Sequence, residues 1–240
     1  MSVLLEIAAN SFESCKAAQE GGADRIELFE NLGEGGCTPS YGMLIVVKEK
    51  INIPVYVMIR PRGGDFLYSE DEFEIMHRDI ELCKQLGYPG VVFGMLDAQG
   101  GVDIGRCQDL LSACGGMKVT FHRAFDRAKD LQHSARQIID LGFDRILTSG
   151  GEPDVEKGKD VIKELQREYG KDIIIMPGSG VTSANAKAIV DHCQVNEIHA
   201  TAKGKASPGM QYTKPYFPDE WYESNVEEVR SIKRVLKASP

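Results

Sequence analysis

The chain has 240 residues, 42% of them hydrophobic and 27% charged, with a net charge of −8 at neutral pH. That balance excludes a disordered chain, and apolar runs such as Met43 to Val47 fall far short of the roughly 18 residues of a membrane span. An acidic chain is not expected to take nucleic acid or an anionic membrane as its partner. The six cysteines form no Cys-x-x-Cys pair, and Met1 to Glu6 carries no basic segment. Reduced thiols and a cytoplasmic location are therefore expected.

Apolar strand-like runs alternate with helix-like segments along the whole chain. The predicted strands are 4–9, 25–29, 55–60, 91–94, 118–122, 145–149, 173–177 and 197–201. Asn10 with Glu13, Ser69 with Glu72 and Ser224 with Glu227 fit capping boxes, and Thr38-Pro39 fits an N-cap followed by proline. Gly21-Gly22, Gly87 and Gly142 stand where helices end. Phe73, Met76, Ile80 and Cys83 keep helical spacing, as do Val226, Val229, Ile232 and Leu236. Eight β-α units predict a single-domain α/β fold, a (β/α)8 TIM-type barrel. Its core spans about 3–202, and a loop and closing helix occupy 203–240. A doubly wound open sheet is the alternative. Gly22-Ala23-Asp24-Arg25-Ile26 is echoed by Gly142-Phe143-Asp144-Arg145-Ile146, an offset of 120 residues. That is the register of two half-barrels, or a shared helix-to-strand turn.

In a parallel barrel the outer strand faces lie under helices and must be apolar. Period-two alternation then turns Glu6, Arg25, Glu27, Tyr56, Met58, Arg60, Thr120, His122, Glu197 and His199 inward. Arg60, His122 and His199 stand near C-terminal strand ends, where barrels keep their chemistry. Buried ionisable groups need partners. They either form an internal salt-bridge network, Glu6 and Glu27 against Arg25 and Arg60, or line a ligand pocket.

Two glycine-rich turns follow strands six and seven, Thr148-Ser149-Gly150-Gly151 and Pro177-Gly178-Ser179-Gly180. Such turns expose backbone N–H groups suited to a small anionic ligand. The candidate anion-binding residues are Arg60, Arg62, Ser149, Gly150, Gly178, Ser179, Gly180 and His199. In an enzyme of small anionic metabolites, His122 is the candidate acid/base, with Glu27 or Glu6 setting its pKa. The loop 31–40 matches neither nucleotide-binding glycine fingerprint. Five cysteines fall on predicted helices, and only Cys37 sits in a loop at the C-terminal end, a weak candidate metal ligand.

The segments Gly-Gly-Ala-Asp-Arg-Ile-Glu-Leu (21–28), Gly-Gly-Cys-Thr-Pro-Ser (35–40), Val-Met-Ile-Arg-Pro-Arg-Gly-Gly-Asp-Phe (57–66), Val-Thr-Phe-His-Arg-Ala-Phe-Asp (119–126), Leu-Thr-Ser-Gly-Gly (147–151) and Met-Pro-Gly-Ser-Gly (176–180) together resemble the CutC copper homeostasis family. The likeness runs from about residue 3 to about 212. It implies a cytoplasmic TIM-type barrel associated with copper tolerance, with copper as a possible ligand, and a homo-oligomer, a dimer first. Some relatives carry cysteines near the ends of the first two strands, where this chain has Ala8 and Phe29. A copper site built on those thiols is missing. Two readings follow: a role in copper homeostasis, direct or indirect, and an enzyme acting on a small anionic or phosphorylated metabolite.

Overall fold

The computed structural model describes residues 3–212, 214, 216 and 219–237. Strands β1 (Leu4–Ala9), β2 (Arg25–Leu28), β3 (Val55–Met58), β4 (Gly90–Phe93), β5 (Lys118–Phe121), β6 (Arg145–Thr148), β7 (Ile174–Pro177) and β8 (Glu197–Ala200) form one parallel sheet. Its order is β7-β6-β5-β4-β3-β2-β1-β8, and β7 lies against β8, so the sheet curls into a nearly closed barrel. Helices α1 (Phe12–Gly21), α2 (Tyr41–Lys50), α3 (Glu70–Gln85), α4 (Ile104–Cys114), α5 (Leu131–Leu141), α6 (Val155–Tyr169) and α7 (Ala186–Cys193) connect successive strands. The predicted TIM-type barrel is what the chain adopts.

The alternation holds. Leu5, Ile7, Ile26, Leu28, Val57, Phe93, Phe121 and Ile198 point outward into one buried layer shared with the helices. Each such side chain contributes about 1.5–3 kcal/mol by leaving water. The inner faces carry a smaller apolar cluster, Ala8, Phe29, Tyr56, Met58 and Val92, and the ionisable residues.

Helix starts are set by side-chain caps, not always where expected. The Ser69–Glu72 capping box opens α3. Ser11, one residue after Asn10, caps α1, and Ser40 caps α2 by accepting from the Met43 amide. Thr38 is diverted to the segment just after β3, where its hydroxyl oxygen accepts the Arg60 N–H at 2.9 Å. Asn225, not Ser224, accepts from the Glu227 and Glu228 amides at the start of the closing helix. Ser224 is buried, its hydroxyl donating to Thr201 O at 3.0 Å.

The stretch expected as a plain loop holds an antiparallel pair, β9 (Lys203–Ala206) with β10 (Trp221–Ser224), before α8 (Val226–Lys237). Val229 of α8 seats on α1 at Gly21, where a Cβ would fall 2.4 Å from a Val229 methyl. The echoed turns do the same work in both halves. Asp24 accepts the Leu5 N–H at 2.7 Å, and Asp144 accepts the Val119 N–H at 2.8 Å. Each carboxylate ties the start of its strand to the strand before. No helix among the described residues is long and apolar enough to cross a membrane.

Candidate functional site

Two polar layers fill the barrel, the lower one starting from Arg25, Arg145 and Glu197, the first residues of β2, β6 and β8. In the lower one, Arg25 donates to Glu6 and, at 2.5 Å, to Glu197, while Arg145 donates to Glu197 at 3.1 Å and to Thr120 at 3.3 Å. Both guanidinium groups lie against the Tyr56 ring, at 5.0 and 5.2 Å. The internal salt-bridge network therefore exists with different partners. Glu197 and Arg145 join it; Glu27 reaches it through His199, and Arg60 does not.

In the upper layer, His199 Nδ1 is 2.8 Å from Glu6 Oε1, and its Nε2 is 3.8 Å from Glu27 Oε2. One ligand atom from each of Glu6, Glu27 and His199 falls within a 4.8 Å set. Burial opposes ionisation of Glu6, but Arg25 and the His199 hydrogen bond outweigh it and hold Glu6 well below the usual carboxylate range. Burial pushes Glu27 up to about 7, with the Glu6 charge adding to the effect. Burial also works against a charged His199, yet Glu27 and Glu6 overcome it and raise its pKa. Three carboxylates thus face two arginines and one histidine. The cluster is neutral whether its last proton sits on His199 or on Glu27.

His122 stands apart from these acids. It packs against Phe66 at 5.0 Å between ring centroids, and the Ala124 N–H donates to its Nδ1 at 3.3 Å. Nε2 then carries the hydrogen, and it is buried without a partner. Burial, with the Arg60 charge second, pushes the imidazole down to about 3. A ring held neutral at ordinary pH is a hydrogen-bond donor and a poor acid/base, so the role expected for His122 does not suit it. Glu27, pushed the other way by its burial, has an Oε1 that is likewise buried and unpartnered.

The expected anion clamp is built as a loop staple. Arg60 donates to the carbonyls of Glu34 (2.8 Å), Gly36 (2.7 Å) and Gly64 (3.0 Å), tying the loop before α2 to the loop before α3. Arg62 is taken by Glu72 at 2.6 Å, Asp65 at 3.0 Å and the Leu67 carbonyl at 2.8 Å. The turn after β6 already holds an anion, the Asp126 carboxylate. Asp126 accepts from the Ser149 and Gly151 amides, the Thr148 and Ser149 hydroxyls, and Arg123. The Gly150 amide is turned to Thr148 Oγ1 at 2.8 Å. Ser149 and Gly150 are thus filled from within, which corrects their reading as open donors.

The turn after β7 differs. Gly178 donates to Thr148 O at 2.9 Å, and a Cβ there would collide with Leu147 at 2.6 Å. Ser179 adopts φ +76° and directs its hydroxyl to Pro153 O. Among the described residues, no acceptor meets the backbone N–H of Ser179, Gly180 or Val181.

These groups border one cavity of about 490 Å³ at the barrel mouth. Ala8, Phe29, Leu32, Met58, Phe66 and Leu147 supply apolar walls. Glu27, His122, His199, Ser179, Gly180, Val181 and Lys203 share its lining. Arg60, Arg62 and all six cysteines are absent from that lining.

Copper does not fit as a thiolate-bound ion. Cys15, Cys83, Cys107, Cys114 and Cys193 are buried in helices, and burial pushes their thiols up to about 11 or 12. Cys37 is buried in a backbone bridge with Glu30. No two thiols share the cavity, and Glu6, Glu27 and His199 offer hard oxygens with a single free imidazole nitrogen.

The model of the CutC family matches residues 3–204. A CutC family protein of Chromobacterium violaceum is 41% identical to this chain, over 98% of the chain and 99% of the relative. One from Xanthomonas campestris pv. campestris is 44% identical over 98% and 99%. The crystal structure described as the copper homeostasis protein CutC of Streptococcus agalactiae superposes with a TM-score of 0.79 at 34% identity. It covers 83% of this chain and 98% of that one.

Proposed function

The chain belongs to the CutC family, and we propose that it serves copper homeostasis in the cytoplasm indirectly, by binding a small anionic ligand at the barrel mouth. One observation carries the reading. Two buried polar atoms, Glu27 Oε1 and His122 Nε2, lack partners on the same cavity. An unsatisfied buried polar group costs about 1–3 kcal/mol, more when it is charged. A ligand that supplies the missing partners recovers that cost. The unmatched amides of Ser179, Gly180 and Val181 favour a negative charge on the ligand, and Lys203, whose ammonium lies over the Tyr222 ring at 5.6 Å, borders the same cavity.

The test is a copper-growth assay in cells lacking the gene, complemented with variants. Wild type and Cys37→Ser restore growth in copper, and Glu27→Gln does not. In parallel, Cu(I) titration of the purified protein gives the same weak binding with and without Cys37. Failure of Cys37→Ser to rescue, together with loss of stoichiometric Cu(I) binding, defeats the indirect reading. Growth that is independent of the gene removes the copper role.

A further inference from the structure

The same cavity holds a carboxylate and a neutral imidazole whose surroundings drive them in opposite directions. Glu27 comes from β2, held beside His199 of β8 and above Arg25 and Glu6. His122 follows β5 and presents Nε2–H with no protein acceptor. We propose that the cavity catalyses proton transfer at the carbon next to a carbonyl group in a small phosphorylated hydroxycarbonyl compound, with Glu27 as the base and His122 Nε2–H as the donor to the carbonyl oxygen. This deepens the ligand-pocket reading and rests on it.

The parts divide the work by chemistry. Unmatched N–H groups of Ser179, Gly180 and Val181 on the cavity lining take the phosphate. Glu228 also borders the cavity, but its carboxylate is engaged by the Ser183 amide at 2.7 Å and hydroxyl at 3.0 Å. The Glu27 carboxylate removes the α-proton. The C–H pair becomes a C–C π bond, and the carbonyl π pair moves onto oxygen, where the His122 N–H holds the enolate. Return of the proton from Glu27 to the same carbon regenerates or epimerises the compound. Return to the former carbonyl carbon, with the hydroxyl proton passed between the two oxygens, gives the isomer. No oxidant, reductant or metal enters the balance.

The electrostatics suit each role. A base with a pKa near 7 and a ring kept neutral as a donor are the pair that a carbon-acid reaction at neutral pH requires. The Glu6 charge and the His199 imidazolium oppose one another across Glu27, with Arg25 behind them. Lowering the pH should therefore quench the activity with a midpoint near 7.

The experiment has a binding arm and a turnover arm. In the first, 2-phosphoglycolate, a mimic of the enediolate, is titrated against the His122 and His199 ring signals by NMR. In the second, dihydroxyacetone phosphate and D-ribulose 5-phosphate are incubated with protein in deuterium oxide, and exchange of the α-hydrogen is followed. Binding by wild type is expected, with exchange that falls at least 100-fold in Glu27→Gln. In His122→Gln, kcat falls about 10- to 100-fold with KM little changed. Lys203→Gln raises KM instead. Circular dichroism of the isosteric Glu27→Gln controls for misfolding. If 2-phosphoglycolate binds and neither probe exchanges, the catalytic inference is overturned and the pocket reading stands. Exchange that is equal in wild type and Glu27→Gln overturns it as well. No binding and no exchange overturns both.

Discussion

His122 makes an unusually clean prediction about acid. Its imidazole is buried, and its pKa falls from an ordinary 6.5 to about 3. Below 6.5 the unfolded chain takes up a proton here that the folded chain refuses. The stability this group provides is complete above 6.5 and is lost as pH falls toward 3. At pH 5 the gap from 6.5 is one and a half units, worth about 2 kcal/mol, against a few tenths at pH 7. Glu27 runs the other way. Its pKa is raised from 4.5 to about 7, so its contribution is present below 4.5 and is lost as pH rises through 7. The two slopes oppose each other between pH 5 and 7. Replacing His122 with Gln removes one slope. Urea unfolding at pH 7 and pH 5, with the m-value checked for constancy, gives the stability of each protein. Relative to wild type, His122→Gln should gain about 2 kcal/mol on moving from pH 7 to pH 5. A difference that stays constant with pH refutes the buried neutral histidine.

Three other perturbations probe the supports of the site. Asp126→Ala strands the Ser149 and Gly151 amides and the Thr148 hydroxyl; it should cost about 2–4 kcal/mol in urea unfolding, and a loss below 0.5 would contradict the filled turn. In Gly158→Ala the new Cβ meets the Ser149 carbonyl oxygen at 1.8 Å, so the variant should melt well below wild type, although alanine gains about 1 kcal/mol in helix propensity. Arg60→Met removes the cation nearest in effect to His122 and three bonds to loop carbonyls. The NMR titration of His122 should move upward, and a downward or absent shift would exclude Arg60 as a cause.

What could be read in the sequence was whatever obeys a short period. Outward apolar and inward polar residues alternate along each strand, so Glu6, Glu27, Arg25, Glu197 and His199 were legible from that alternation alone. Arg145 follows the same rule on β6, and its inward position could have been derived. Interactions across the barrel were not legible, because no local pattern encodes them. Asp126 stands 23 residues before Ser149, and only the folded proximity of two loops puts its carboxylate under that amide. The glycine-rich turn advertised donors, but nothing in its own residues said that the chain also brings the acceptor. Arg60 misled for a related reason. A guanidinium at a strand end suits a carboxylate or phosphate, but three carbonyls from glycine-rich loops satisfy it equally well. His122 and Glu27 needed burial and neighbours before their roles could be separated, since residue type alone does not reveal which group stays neutral.

The stacked polar layers have an evolutionary consequence. Arg25, Arg145, Glu197 and Glu6 form a charge-balanced set beneath the cavity, so any single replacement there strands a partner in the core. Glu27, His122 and the turn after β7 border open space and answer mainly to whatever occupies it. Inheritance should therefore hold the lower storey rigid while the upper one drifts. A lineage can exchange one ligand for another by changing a few residues at the rim, without renegotiating the foundation that keeps the barrel shut.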